Sequence, residues 1–342
     1  MQILPNENCN GIKNYDRVIQ KWSEKPLTYK QALFAVRPLA ERFLKKNYKE
    51  WRAYNTKSKA FDWSNTSSEK ILILPSSQCE VWGNLDYVNN WKNSISAYEA
   101  ILKKFNINLD NVIMRCHPVW AQTISGQDGQ SASKFYQKWG KRVGVQVIHS
   151  DEEIDTTSLI RQADYIITSG STATFEAGIF GKKIILVTPS SFMNGKFVDY
   201  LKGEEDISKL HMNYFDFNSS PDEQIRTKRY TIRALYSLSN RVTQYAKNIR
   251  AINSMTYSYN FDLNPENILS QLNHGDLIEG DKDYACNLNG EDQVLEYIES
   301  EKWLKIIQEC TQFENINNFK FQRRSMYKFV DFLRGLSKPG DV

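Results

Sequence analysis

Four short stretches of this 342-residue chain carry side chains suited to holding an anion or moving a proton. In Arg115-Cys116-His117-Pro118 a guanidinium lies two residues from an imidazole, and the proline forces an extended exit after His117. A histidine so placed can donate to a phosphate oxygen or carry a proton, and Arg115, on the same strand face, can supply a fixed positive charge. Ser169-Gly170-Ser171-Thr172 then leads into Ala173-Thr174-Phe175-Glu176-Ala177-Gly178. Gly170 permits a tight turn, after which Ser171 or Thr172 opens a helix whose N–H groups and hydroxyls suit a phosphate or diphosphate. Glu176 follows Thr172 by four residues, shares its helix face, and can accept hydrogen bonds from ribose or sugar hydroxyls. Pro75-Ser76-Ser77-Gln78-Cys79-Glu80 and Thr188-Pro189-Ser190-Ser191 add further hydroxyls. Each piece also has a plainer reading: a strand-end histidine can be structural, and Ser/Thr with a following Glu can be an N-cap and a solvated face.

Other chemistries lack their patterns. No GxGxxG follows the first strand, no GxxxxGK[ST] occurs, and there is no GxSxG elbow. The histidines His117, His149, His211 and His274 show no HxH or HExxH spacing, so no metal site is expected. His149 also ends a strand but lacks a comparable context. Asp281-Lys282-Asp283 follows Gly280 in a polar region and reads as a loop rather than a metal-holding DxD.

These stretches gain force from the elements that must carry them. Short apolar runs Ile71–Leu74, Val112–Met114, Val145–Ile148, Tyr165–Thr168 and Lys183–Val187 alternate with helix-length segments Asn93–Phe105, Ser131–Gly140, Thr157–Gln162 and Thr172–Phe180. Strands apolar on both faces and separated by helices predict an α/β fold, a doubly wound parallel sheet covered on both sides. In such sheets ligands bind beyond the C-terminal strand ends, which is where the hydroxyls, Arg115 and His117 gather.

Residues 1–68 read as a helical N-terminal segment, with a capping box from Thr28 to Gln31, a helix-forming stretch Tyr29–Tyr54 that Pro38 should kink or divide, and a polar linker Asp62–Glu69. Residues 69–200 form the Rossmann-like domain, and 201–342 a mainly helical C-terminal region. In that region Tyr230–Asn253 and Gln293–Gln308 look helical, and Asn318–Leu336 is a basic amphipathic stretch that either docks on its own fold or lies on a membrane surface.

Composition limits the class. With 41% hydrophobic and 25% charged residues the chain is globular, and its apolar runs fall far short of the ~18–20 residues that span a bilayer. No signal peptide opens it, and five scattered cysteines without CxxC spacing point to reduced thiols in the cytoplasm. Residues 1–70 hold fourteen Lys/Arg against seven Asp/Glu although the whole chain is only +4, a surplus that could face phosphates, anionic lipid or an acidic partner. Aromatic residues are not interleaved with that basic tract, so nucleic acid is not an expected partner.

Taken in order, ILILPSS (71–77), MRCHP (114–118), DTTSLIRQAD (155–164), YIITSGSTATFEAG (165–178) and GKKIILV (181–187) resemble the nucleotide-binding half of GT-B glycosyltransferases. The likeness, over residues ~70–195, is greatest to the capsule polysaccharide biosynthesis group that includes Kdo transferases. It implies transfer of a sugar from a nucleotide-sugar donor to a cell-surface polysaccharide or lipid-linked glycan of capsule or lipopolysaccharide type. The donor is substrate, CMP-Kdo by resemblance alone, and no cofactor or metal is implied. Donor-phosphate contacts carry to His117, Ser171 and Thr172, supported by Ser169 and Glu176, with Ser76, Ser77 and Arg115 on the same rim. The resemblance also implies work at the inner face of the cell membrane, by peripheral contact. Such enzymes carry a second Rossmann-like domain in front, where this chain has about 70 residues. The catalytic base is therefore sought after the first strand, in Glu80 ahead of Asp86. The same pattern resembles teichoic-acid glycerophosphotransferases and sugar-nucleotide epimerases, and a non-catalytic nucleotide-binding or scaffold protein of a polysaccharide assembly complex is the reading outside enzymes.

Overall fold

Ile71, Ile73, Val112, Met114, Tyr165 and Ile167 point to one side of a sheet, while Leu72, Leu74, Ile113, Ile166, Ile184 and Leu186 point to the other. Both sets are buried, which is why these strands read as unbroken apolar runs. The computed structural model describes residues 2–3, 12–47, 58–63, 69–76, 85–121, 123–124, 127–128, 130–210, 220–242, 244–245, 249–251, 257–259 and 280–313.

The sheet comprises β1 (Ile71–Leu74), β2 (Val112–Arg115), β3 (Gln146–Ile148), β4 (Tyr165–Thr168), β5 (Lys183–Leu186) and β6 (Asp199–Tyr200). All pairings are parallel and the spatial order is β3-β2-β1-β4-β5-β6. The chain thus winds outward from β1 to β3, then returns beside β1 and winds the other way. Between β1 and β4 lies the switch point at which doubly wound folds open a crevice. Crossover helices α3 (Ser94–Lys104) and α4 (Gln130–Val143) cover one face through Tyr98, Ile101 and Trp139. On the other face α5 (Thr156–Gln162) and α6 (Ala173–Ile179) contribute Leu159, Ile160 and Phe175.

That second face carries a further helical layer. After α1 (Ile12–Trp22) comes α2 (Tyr29–Phe43), whose buried Leu33, Val36 and Leu39 join the same core as residues of α7 (Pro221–Tyr236), α8 (Asn289–Glu299) and α9 (Trp303–Phe313). The Thr28 capping box is formed as the sequence predicts: the Gln31 N–H donates to Thr28 Oγ1 at 3.3 Å, and the Thr28 N–H donates to Gln31 Oε1 at 2.9 Å.

Several expectations are revised. Pro38 does not divide α2: buried Leu33, Val36, Leu39 and Ala40 lie on both sides of it and hold one continuous helix. The helix stops at Phe43 and Lys45 turns the chain with φ 56°; residues 48–54 of the helix-forming stretch lie outside the described residues. Trp63, in the expected polar linker, is buried in the core. The Tyr230–Asn253 helix starts earlier and ends earlier: α7 loosens into a π-turn over Ser237–Arg241, which the Gly280 and Asp281 amides close by donating to the Arg241 and Asn240 carbonyls at 2.8 Å. Ile249–Ala251 instead pairs antiparallel with Tyr257–Tyr259. Gln293–Gln308 is broken into α8 and α9 at Glu301, with φ 50°. The stretch Asn318–Leu336 lies outside the described residues. Among the described residues no helix is long and apolar enough to cross a membrane.

Candidate functional site

A cleft of about 130 Å³ opens at the C-terminal edge of the sheet. Its walls come from Leu74 and Pro75 after β1, Arg115 to Pro118 at the end of β2, Asp155 to Thr157 before and within α5, Ser171 to Ala173 after β4, Glu176 in α6, and Arg42 in the last turn of α2. That volume suits a phosphate-sized group, whereas pockets that enclose whole small molecules run to about 300–1,000 Å³.

His117 is fixed by its own strand exit. Cys116 extends the ladder by donating to the Ile148 carbonyl at 3.0 Å, and Pro118 then starts a 3₁₀ turn over Pro118–Ala121. In this turn the Val119 N–H donates to His117 Nδ1 at 3.1 Å. An accepted hydrogen bond at Nδ1 assigns the neutral ring's proton to Nε2 and makes the imidazole a donor there. Cys116 lines the cleft, but burial pushes its thiol up to about 11, away from nucleophilic chemistry.

Ser171 and Thr172 both line the cleft, and they differ in kind. Ser171 Oγ is buried without a hydrogen-bond partner, a state that costs roughly 1–3 kcal/mol unless a partner supplies the bond. Thr172 is exposed and makes no side-chain cap. Gly170 just before them has φ 91°, a left-handed conformation that needs glycine. The helix start offers fewer free amides than expected. The Thr174 and Phe175 N–H groups donate to the Ser171 and Thr172 carbonyls at 3.0 Å, and α6 is only seven residues long.

Arg115 lines the cleft as scaffold. It is 3% exposed; its Nη1 donates to the His149 carbonyl, and its Nη2 to the Glu152 and Ile154 carbonyls at 2.9 and 3.3 Å. The guanidinium therefore shapes the β3–α5 loop, which presents Asp155, and burial draws its pKa down. Glu176 also differs from expectation. It is 5% exposed, and its oxygens accept from Arg42 Nη1 at 2.7 Å and Thr157 Oγ1 at 2.8 Å, so both already have donors.

Ser76 and Ser169 stand outside the cleft lining and tie β1 to β4. Ser76 Oγ donates to the Ser169 carbonyl at 2.7 Å, and Ser169 Oγ lies 2.6 Å from the Tyr98 hydroxyl. Ser77 and Glu80 lie outside the described residues. Asp86 pairs with Lys13 at 3.0 Å, and His149 bonds the Gln137 amide. Asp281 sits in a loop as expected, accepting from Gln31 Nε2 at 2.7 Å and from the Tyr236 hydroxyl.

The cleft residues that sequence reasoning missed are Arg42, Asp155 and Thr157. Asp155 had a signal, since it N-caps α5 by accepting from the Thr157 and Ser158 amides at 3.2 Å. Arg42 had none: it is one basic residue of many on a helix far from the strand motifs.

No protein-family model and no curated protein matches the sequence. Solved structures that resemble the fold include Thermosulfurimonas dismutans KpsC, a beta Kdo 2,4 transferase, at 16% identity over 76% of this chain and 69% of that one, with a TM-score of 0.37. The Methanocaldococcus jannaschii UDP-GlcNAc 2-epimerase, in complex with UDP-GlcNAc and UDP, is 13% identical over 54% of this chain and 46% of that one, with a TM-score of 0.32. The spinosyn rhamnosyltransferase SpnG is 12% identical over 50% and 42%, with a TM-score of 0.28. The chain thus spans less than half the length of the last two. Likeness this distant leaves function to be argued from the site itself.

Proposed function

We propose that the chain is a metal-independent glycosyltransferase whose cleft receives the phosphate of a nucleotide-sugar donor, the acceptor being a surface polysaccharide or its lipid-linked precursor. The observation that carries this reading is the unpartnered Ser171 hydroxyl, buried in a cleft shared with His117 and Arg42 at the C-terminal edge of a doubly wound sheet. Stabilising the departing nucleotide phosphate is then the main catalytic contribution: Ser171 Oγ and His117 Nε2 donate, and Arg42 adds charge. With its Nδ1 occupied by the Val119 amide, His117 serves as a donor rather than as the base at that nitrogen. Capsule or lipopolysaccharide synthesis, a Kdo donor and peripheral work at the inner membrane face belong to this proposal through the sequence resemblance.

A second reading, nucleotide binding without turnover, draws on a specific observation. Among the described residues, the two carboxylates that line the cleft are engaged, Asp155 as the α5 cap and Glu176 with Arg42 and Thr157. Product analysis decides. Purified protein is given CMP-, UDP- and GDP-sugars with a glycan acceptor. A new glycosidic bond, diminished by Ser171→Ala and His117→Ala, supports the transferase. An epimerised donor without acceptor, or a phosphodiester, replaces it with a neighbouring chemistry. Tight nucleotide binding with no product supports the second reading.

A further inference from the structure

We propose that Glu176 is the counter-ion of Arg42 rather than a ligand of sugar or ribose hydroxyls, and that a diphosphate entering the cleft takes Arg42 over from it. The inference deepens the donor-site reading and rests on it for the ligand class.

Among the described residues, three cationic or potentially cationic side chains line the cleft, and they are held differently. Arg115 bonds three backbone carbonyls, so withdrawing it would undo the β3–α5 loop. His117 is oriented through Nδ1 by a backbone amide of its own turn. Arg42 pairs with a carboxylate: its Nη1 lies 2.7 Å from Glu176 Oε1, with the two side chains 21% and 7% exposed. A phosphate offers a guanidinium the same fork of oxygens as a carboxylate, with more charge, so the two compete directly for it.

Glu176 is poorly arranged to receive a hydroxyl. Each of its oxygens already accepts a donor, from Arg42 and from Thr157. Its negative charge also lies in the cleft that would hold the phosphate, and at low exposure such like charges repel strongly. A hydroxyl-binding carboxylate raises affinity for a nucleotide sugar, whereas a counter-ion lowers affinity for its phosphates. The two roles therefore give opposite signs when the charge is removed.

The test is calorimetric titration of inorganic pyrophosphate and of UDP, GDP and CDP into wild type, Glu176→Gln, Arg42→Gln and the double variant, each first shown to be folded by its circular dichroism melt. The expected result is tighter binding by Glu176→Gln, of the order of fivefold, and at least tenfold weaker binding by Arg42→Gln. The gain from Glu176→Gln should vanish in the double variant, and the salt dependence of binding should fall when Arg42 is lost. If Glu176→Gln weakens diphosphate binding, or if Arg42→Gln leaves it unchanged, the counter-ion proposal is overturned while the donor site stands. If nucleoside diphosphates bind no tighter than pyrophosphate, but with the predicted dependence on both residues, the exchange holds and the nucleotide-sugar reading fails. No binding by the wild type overturns both.

Discussion

Two arginine–glutamate pairs in this molecule show how the same chemistry serves different ends. Glu291, fully buried in α8, accepts from Arg233 Nε at 2.8 Å and Nη2 at 2.9 Å, from Arg229 Nη1 at 3.3 Å, and from the Leu27 N–H at 2.7 Å. That network joins α7, α8 and the entry to α2. The Arg42–Glu176 pair instead lies at the wall of a cleft, joined from Arg42 Nη1 to Glu176 Oε1 at 2.7 Å, with one partner a fifth exposed. Saturation marks the first pair as architecture. A place at the cleft wall, with Arg42 partly exposed, marks the second as a pair that a ligand can reach.

Removing one partner from each pair sharpens the contrast. Glu291→Ala leaves a buried guanidinium and a backbone amide without their acceptor and should cost about 3–5 kcal/mol in denaturant unfolding. Glu176→Gln should cost far less, since Arg42 can turn to water. Equal losses would break the comparison.

Lys182 supplies a third case, a largely buried cation whose hydrogen bond goes to a carbonyl, that of Arg161 at 2.8 Å. Burial draws it down to about 8 from its ordinary 10.5. Between those values the unfolded chain binds more protons at this site than the folded chain, so this group makes stability rise with pH. From pH 8 to pH 10 the rise should be on the order of 2 kcal/mol relative to Lys182→Met. A wild-type-minus-variant difference that is flat across this window would mean the ammonium is better paired than its surroundings suggest.

Thr157→Val should cost about 1 kcal/mol by removing the hydroxyl that holds Glu176 Oε2. It should alter pyrophosphate affinity less than Arg42→Gln does. The smallest signal expected is chemical: at pH 8 a thiol reagent should modify exposed Cys286 quickly and leave Cys116 unreacted in the native protein. Fast modification of Cys116 would show that the cleft floor opens.

The sheet was legible because its central strands are apolar on both faces and helical segments separate them in sequence. β6 was not, since two residues, Asp199 and Tyr200, leave no pattern to read. The strand-end histidine and the Ser171 turn were legible for a topological reason: in a parallel sheet all C-terminal ends share one rim. What single-strand reasoning missed was the partner of each polar group. Arg115 reads as a free cation until the β3–α5 loop is seen folding its carbonyls around it, and Glu176 as a free acceptor until Arg42 arrives from 134 residues away. The twofold basic excess of residues 1–70 hinted that the N-terminal segment could face a phosphate, yet no periodicity within α2 singles out Arg42.

The central claim is that this cleft binds a nucleotide through its phosphate, and isothermal calorimetry with CMP, UDP, GDP and CDP on wild type, Ser171→Ala and His117→Ala tests it most directly. A site filled at a hundred times its Kd stabilises the fold by roughly 2.7 kcal/mol, so parallel thermal melts must agree with the calorimetry. The account predicts one preferred nucleotide, with binding weakened about tenfold or more in each variant. Binding that both variants leave intact, or none in the wild type, would contradict it.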